Sequence, residues 1–338
     1  MKKVVAVIYG GQSQEHDISL MSAQTILSNF DKTANEVVEI LITKDGSWKI
    51  RDNDGGGEFK DDVVLALNKS SELMVMDGET IKMRKRIDVA LPVLHGTFGE
   101  DGRLQGMLEM AGIRYVGCGV ASSAICMDKD FCKKICDSAG IEVVPWMVVK
   151  KGEEYDLKNV ADVISFPCFV KPANLGSSVG ITKVKTFEEL QGAIENAWNY
   201  DDKVLVEKGF SVRELECAVF EGDNFMVSDV GEIIPGGEFY DLSDKYYDGK
   251  SKTVIPAEID EACRDKIRGL TEKIYKLLDC RGLARVDFFL DKASGRVYFN
   301  EINTLPGFTE HSMYPLLMND SGVTLSRLIK ELISQSEH

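Results

Sequence analysis

Arg285-Val286-Asp287 and Asn300-Glu301-Ile302-Asn303 put a cation, two carboxylates and a carboxamide on two neighbouring stretches of chain, with Thr304-Leu305-Pro306-Gly307 directly after them. Both stretches have strand character, and the turn formers Asp291, Ser294 and Gly295 lie between them, so a hairpin is expected. With Asp291 facing Val297 across the turn, Asp287 falls opposite Glu301, and Asn303 shares the face of Glu301 because strand side chains alternate. Three oxygen ligands then meet at the open end of the hairpin. Hard Mg2+ takes such ligands together with phosphate oxygens and needs neither His nor Cys. Either acid alone would be an ordinary solvated strand-end carboxylate. The convergence of Arg285 and the Pro-Gly loop on the same end points instead to a magnesium-nucleotide site.

A second group of residues suits phosphate. Phe169-Val170-Lys171-Pro172 is followed by Gly176-Ser177-Ser178-Val179-Gly180, a lysine at a strand end before a small-residue loop. Backbone N–H groups in such a turn donate to phosphate oxygens, and a lysine in a cleft adds poorly screened charge. The spacing is neither a Walker A motif nor GxGxxG, and flexible hairpin tips use the same residues. Lys129, at a helix start after Met127-Asp128, is by itself an ordinary solvated lysine. Glu207-Lys208-Gly209-Phe210 ends a strand, and Glu214 follows after a short bend. An adenine ring takes an apolar slot with backbone hydrogen bonds, and a ribose takes a carboxylate; many strand-to-loop junctions offer the same.

The elements that position these residues fall into three units. Val4 to Tyr9, ending at Gly10-Gly11, is a strand and Ile18 to Phe30 a helix. Val37 to Ile42 and Val89 to Leu94 are buried strands, and Leu104 to Ala111 is a helix stopped by Gly112. Residues 1–117 therefore form a doubly wound α/β domain, with Arg51 to Asp61 as a surface loop or hairpin. A helix from Asp128 to Ala139, strands Pro145 to Val149 and Pro167 to Lys171, and a helix opening on the capping box Thr186-Phe187-Glu188-Glu189 follow in 118–210. Phe187, Leu190, Ile194 and Trp198 share a helical face and read as core. Residues 211–338 mix strands, from Glu214 to Phe220 onward, with a late amphipathic helix marked by Ile267, Leu270, Ile274 and Leu277.

The 338 residues are 44% apolar, enough for ordinary soluble cores, and the net charge of −15 argues against a broad nucleic-acid or anionic-membrane surface. No apolar run approaches the roughly 20 residues of a membrane span. Met1-Lys2-Lys3 leads straight into a strand, so a cytoplasmic protein is expected. The eight cysteines form no CxxC pair or zinc spacing and read as buried reduced thiols.

Taken together, the motifs resemble the ATP-grasp superfamily and in particular the D-alanine-D-alanine ligases, from the first strand to nearly the last helix. The resemblance rests on Gly10-Gly11-Gln12-Ser13-Gln14-Glu15-His16-Asp17-Ile18-Ser19, Leu94-His95-Gly96-Thr97-Phe98-Gly99-Glu100-Asp101-Gly102, Met127-Asp128-Lys129, Val170-Lys171-Pro172 and Gly176 to Gly180. It continues through Phe239-Tyr240-Asp241 with Lys245-Tyr246, Arg285-Val286-Asp287, and Asn300 through Gly307 to His311-Ser312. The first two are the most specific. It implies ATP held between two antiparallel sheets of the central and C-terminal domains, and ATP-driven joining of two D-alanines through D-alanyl phosphate, for peptidoglycan precursors.

By the same resemblance Glu15 binds the first substrate's ammonium, with His95 close by. Lys129, Lys171 and Ser178 hold the phosphates, Glu207, Lys208, Gly209 and Phe210 the adenine, and Glu214 the ribose. Asp287, Glu301 and Asn303 bind two Mg2+ or Mn2+ ions. Arg285 holds the transferring phosphate, a task for a permanently cationic fork, and Gly307 N–H supports the oxyanion. Lys245, Ser312 and Met313 form the second-substrate site. Ser177 and Tyr246 link with Glu15 and orient the attacking amine; a tyrosine with a pKa of about 10 is a base only if cations lower it. Tyr240 to Lys252 has the composition of a mobile lid.

Retention of Lys245-Tyr246 favours a peptide over a D-alanyl-D-lactate product, and apolar Met313 suits a methyl side chain, with a D-alanine-D-serine ligase as the alternative. The lid departs from the commonest pattern at Leu242-Ser243-Asp244. Another ATP-grasp carboxylate-amine ligase is separated by Glu15-His16 and HGTFGEDG, a nicotinamide-binding dehydrogenase by the failed GxGxxG spacing, and a silent ATP-binding regulator by the complete set Arg285, Asp287, Glu301 and Asn303. A homodimer is what the family suggests.

Overall fold

The run Val5 to Ile8 is no more than 1% exposed, as a strand with both faces covered should be. In the computed structural model, which describes residues 2–51, 58–177, 179–236 and 251–336, this run is the centre of β1 (Lys3–Gly10). It lies between parallel neighbours β2 (Asn35–Ile42) and β7 (Val89–Val93), and β8 (Arg114–Tyr115) extends the parallel part beyond β7. Helices α1 (His16–Ser28) and α2 (Arg103–Ala111) accompany it, and α2 ends on Gly112 in the left-handed region at φ 74°.

Only this half is doubly wound. Beyond β2 the sheet continues through antiparallel β3 (Trp48–Arg51), β4 (Phe59–Leu65), β5 (Glu72–Asp77) and β6 (Thr80–Arg86), giving the order β6-β5-β4-β3-β2-β1-β7-β8. The charged tract expected to be a loop or hairpin thus opens a meander, with β3 paired to β4. Polar faces and single apolar residues left these strands little periodic signal. The edge strand β6, TIKMRKR, is almost wholly exposed, and its basic side chains suit an edge that must not recruit another strand.

In the middle of the chain, α3 (Val120–Met127) was not foreseen, and α4 (Lys129–Ser138) starts after Asp128, whose carboxylate accepts from the backbone N–H of Asp130 and of Phe131. Strands β9 (Trp146–Lys150), β10 (Cys168–Pro172), β11 (Thr182–Val184) and β12 (Lys203–Lys208) make an antiparallel sheet ordered β11-β10-β12-β9. Helices α5 (Leu157–Ile164) and α6 (Phe187–Ala197) cover it. The capping box Thr186/Glu189 is present at the start of α6. Leu190 and Ile194 are fully buried, but Phe187 is 43% exposed and Trp198 half-buried, so the buried stripe is narrower than expected.

The last sheet is antiparallel throughout, ordered β15-β14-β13-β16-β17, from β13 (Val212–Glu221), β14 (Phe225–Ile234), β15 (Lys252–Val254), β16 (Leu283–Asp291) and β17 (Val297–Asn303). Leu215, Cys217, Val219, Val286 and Phe288 of one face pack on Ile267 and Ile274 of α7 (Glu261–Leu277). Each such fully buried aliphatic contributes about 1.5–3 kcal/mol. Leu277, expected on that face, remains 39% exposed at the helix end. Ala218, Phe220 and Leu283 join a separate core with α8 (Met313–Asp320) and α9 (Leu325–Gln335).

The β16–β17 turn pairs Leu290, not Asp291, with Val297; Asp291 instead accepts from the backbone N–H of Ala293 and of Ser294. A bulge between Asp287 and Phe288 on one strand and across Asn300 on the other then restores the pairing of Asp287 with Glu301. The bulge also exchanges faces. Val297, Phe299 and Ile302 lie in the core, a spacing of two and then three, and Glu301 and Asn303 are thereby turned to the side of Asp287.

All eight cysteines are free thiols. Seven are buried, while Cys263 is half-buried, against the expectation that all would be interior.

Candidate active site

The ladder of β13, β16 and β17 places Glu216, Asp287 and Glu301 side by side in one row; two residues along, Ala218, Arg285 and Asn303 form the next. Strand alternation puts both rows on the same face. Within this patch Arg285 Nε is 2.8 Å from both Asp287 Oδ1 and Glu216 Oε2, and Arg285 Nη2 is 2.7 Å from Asp287 Oδ2. Asn303 Nδ2 donates to Asp287 Oδ2 at 3.0 Å. Burial opposes the charge of Arg285, but Asp287 and Glu216 outweigh it and hold its pKa well above the usual range.

Lys129, the first residue of α4, reaches this patch from the middle of the chain. Its Nζ donates to Leu175 O at 2.6 Å and lies 3.2 Å from Glu301 Oε2. Burial works against the Lys129 ammonium, and Glu301 more than compensates, raising its pKa. One turn further along, fully buried Lys133 lies 3.1 Å from Glu207 Oε1, while Lys171 lies 2.7 Å from Glu207 Oε2. Burial pushes Lys133 below the usual lysine range, opposed by Glu207.

Three oxygen donors, Asp287, Glu301 and Asn303, adjoin on this face. Glu216, Asp287 and Glu301 bring three negative charges against two from Arg285 and Lys129, so the patch carries excess negative charge. An all-oxygen, net-negative set of this kind fits a hard divalent cation.

The first sheet supplies the opposite wall. Glu15, just before α1, accepts a hydrogen bond from Ser177 Oγ, joining the first loop to the small-residue loop of the central unit. Ser177 is held at φ 51°. Gly96 lies against Glu15: at φ 73° a Cβ there would stand 2.9 Å from Glu15 Oε2. His95 is buried, with Nδ1 3.0 Å from Leu305 O and Nε2 3.3 Å from Ser22 Oγ. Burial lowers its pKa, keeping the ring neutral. Glu100 is buried beside them and accepts from Gly96 N–H at 2.8 Å. Burial, together with the charge of Glu15, raises its pKa to about 8.

Glu15, His95, Ser177, Arg285, Glu301, Asn303, Gly307, Ser312 and Met313 line one cavity, which also includes Glu100 and Glu216. Ser312 precedes α8, and its Oγ lies 2.8 Å from Thr309 Oγ1. Met313 is 4% exposed and rests on Gly231, where an added Cβ would be 2.7 Å from its sulfur. Lys129, Lys171 and Glu207 form the adjoining cluster. Exposed Lys208 places Nζ 5.6 Å from the ring centre of Phe210, which stacks on Tyr298 at 5.2 Å. A Cβ on Gly209 would meet Pro167 O at 2.7 Å, so only glycine lets the strand end approach so closely. Glu214 is half-buried on the face of Glu216, one row further out. Ser178, Lys245 and Tyr246, with most of the expected lid, lie outside the described residues.

The motifs alone give no role to Glu216, Lys133 or Glu100. Spacing alone could have found the first two: Glu216 is two residues from Glu214 on a strand, and Lys133 four from Lys129 on a helix.

Two antiparallel sheets, one presenting lysines beside a small-residue loop and the other a carboxylate–arginine patch, define the ATP-grasp class. The family description "D-ala D-ala ligase N-terminus" matches residues 4–118, and "D-ala D-ala ligase C-terminus" matches 135–334. A D-alanine–D-alanine ligase of Caldicellulosiruptor bescii is 47% identical over 98% of this chain and 94% of that protein. A D-alanine–D-alanine ligase B of Clostridium tetani is 44% identical over 98% and 93%. Among solved structures, the VanG D-Ala:D-Ser ligase from Enterococcus faecalis superposes with a TM-score of 0.89 at 38% identity, covering 99% of this chain and 100% of that one. The D-alanine-D-alanine ligase from Coxiella burnetii gives 0.87 at 32%, covering 99% and 94%. The chain belongs to the D-alanine–D-alanine ligase family, whose members are ATP-dependent ligases. Among the described residues, no helix is long and apolar enough to cross a membrane.

Proposed function

We propose that this chain joins two D-alanines into D-alanyl-D-alanine at the expense of ATP, in the cytoplasm, as a step toward peptidoglycan precursors. The observation that carries the chemistry is the single patch of Arg285, Asp287, Glu301 and Asn303, met by Lys129 from the neighbouring unit. A carboxylate is a poor acyl donor until one oxygen becomes a good leaving group. The first D-alanine's carboxylate therefore attacks the γ-phosphate, and the second D-alanine's amine displaces phosphate from the resulting acyl phosphate. Such transfer depends on positioning and charge neutralisation.

Glu15, oriented by Ser177, pairs with the first ammonium, and neutral His95 closes that side of the pocket. Lys129, Lys171 and Ser178 take the phosphates; Glu207, Lys208, Gly209 and Phe210 take the adenine, and Glu214 the ribose. Asp287, Glu301 and Asn303 hold two Mg2+ or Mn2+ ions, which neutralise phosphate charge when bound. Arg285 stabilises the transferring phosphoryl group, and Gly307 N–H the oxyanion of the tetrahedral state. Ser312 and Lys245 fix the second carboxylate, Met313 faces its methyl group, and Tyr246 orients the attacking amine. The units 1–117, 118–210 and 211–338 serve as substrate, ATP and catalytic domains, and the working form is a homodimer.

Phosphate release from MgATP, with D-alanine, D-serine and D-lactate offered separately and the product weighed by mass spectrometry, tests this reading. Release with D-alanine alone and a D-alanyl-D-alanine product are expected. No release with D-alanine defeats the assignment, and a preference for D-alanine plus D-serine reassigns the second site.

A further inference from the structure

Lys133 has no place in the chemistry described so far, yet its side chain is 0% exposed and its Nζ stands 3.1 Å from Glu207 Oε1. The ammonium also lies 5.8 Å from the ring centre of Trp146. The other oxygen of Glu207 is 2.7 Å from Lys171 Nζ. Two buried ammonium groups thus share one carboxylate. A one-to-one pair would be neutral, whereas two cations and one anion leave one uncompensated positive charge in a closed site. Asp130, on the same helix as Lys133, is taken up by Lys134 at 2.9 Å and by Trp146 Nε1 at 3.0 Å.

Among the described residues, Lys133 Nζ and Glu207 Oε1 also lack a hydrogen bond of good geometry. Burying an unmatched charge costs far more than burying a matched pair. The imbalance is local, because the adjoining patch of Glu216, Asp287 and Glu301 against Arg285 and Lys129 carries the opposite excess, and a polyanion carrying a divalent cation complements both.

We propose that Lys133 is a positioning residue of the nucleotide site: by occupying one oxygen of Glu207, it keeps Glu207 from neutralising Lys171 and leaves the charge of Lys171 to the polyphosphate. This rests on the reading of Lys171 as a phosphate ligand. Lys133 acts through Glu207 and touches no nucleotide atom itself. Its place on α4, one turn from Lys129, also couples the two lysines, so that one rigid helix sets charge on both flanks of the phosphates.

The charge sum makes the idea testable with MgADP titrated calorimetrically into the full-length protein. Lys133→Met takes the sum from +1 to zero while leaving Glu207 paired with Lys171, so the fold is kept; binding is expected to weaken at least tenfold. In turnover, KM for ATP rises and KM for D-alanine does not. Lys133→Arg keeps the sum at +1, and binding is expected to stay within about threefold of wild type. A merely structural lysine gives the opposite order, because methionine fits the buried space and the larger guanidinium does not. Unchanged binding by Lys133→Met overturns the proposal, as does a Lys133→Arg variant no better than Lys133→Met. If Lys133→Met does not fold, Lys133→Arg decides alone, and its failure to bind MgADP overturns the proposal. A wild-type protein that binds no MgADP removes the nucleotide reading and this inference with it, a result distinct from either.

Discussion

Glu100 shows how one buried group can write a pH dependence into the whole fold. Its carboxyl sits under Gly96 beside Glu15, and burial raises its pKa to about 8, against about 4.3 in an unfolded chain. Between these values the folded state binds a proton that the unfolded state has released. The contribution of Glu100 is therefore fully present at acid pH and declines as pH rises toward 8. Glu100→Gln keeps the shape without the titration. Its stability in urea relative to wild type is expected to improve by about 1 kcal/mol per pH unit between pH 5 and 8. A constant difference across that range would show that the carboxyl is ionised throughout. At this scale, the meeting of Asp287, Glu301 and Asn303 on one face was legible from strand alternation across one hairpin. Glu100 was not, since nothing in a motif announces how deeply one of its carboxylates will be buried.

At the level of elements, α4 matters more than its length suggests, for it carries both Lys129 and Lys133. Asp128 caps it through the N–H groups of Asp130 and Phe131, and also pairs with Lys203. Asp128→Ala should cost about 1–2 kcal/mol of stability, read from the denaturation midpoint. Asp128→Asn keeps the cap and should cost less; equal losses would assign the effect to the Lys203 pair instead. The sequence marks this helix, but not α3 before it. The β16–β17 hairpin shows a subtler limit. Its turn register differs by one residue from the one expected, yet Asp287 still meets Glu301, because the bulge at Asn300 cancels the slip. The clue was present in the apolar spacing Val297, Phe299, Ile302, which cannot lie on one face of a regular strand. The strands β3 to β6 were less readable, since a sheet margin with one solvated face needs little hydrophobic patterning.

Across the whole molecule, the cavity belongs to no single sheet. Glu15 comes from the first, Ser177 from the loop after β10, and Arg285 from the last. MgADP, which the proposed roles place between the second and third sheets, binds only their assembled state, so at about a hundred times its Kd it is expected to stabilise the protein by about 2.7 kcal/mol. Differential scanning calorimetry should show one transition moving upward as a unit. A shift confined to part of the melting profile would mean that the three sheets unfold independently. The outermost ribbon of the first sheet has another consequence. Lys82, Arg84, Lys85 and Arg86 crowd β6, so two molecules approaching there with their backbones aligned would bring like charges together. Self-association through a shared, continuous sheet is thereby discouraged, and a pair of these molecules must meet on side-chain surfaces elsewhere.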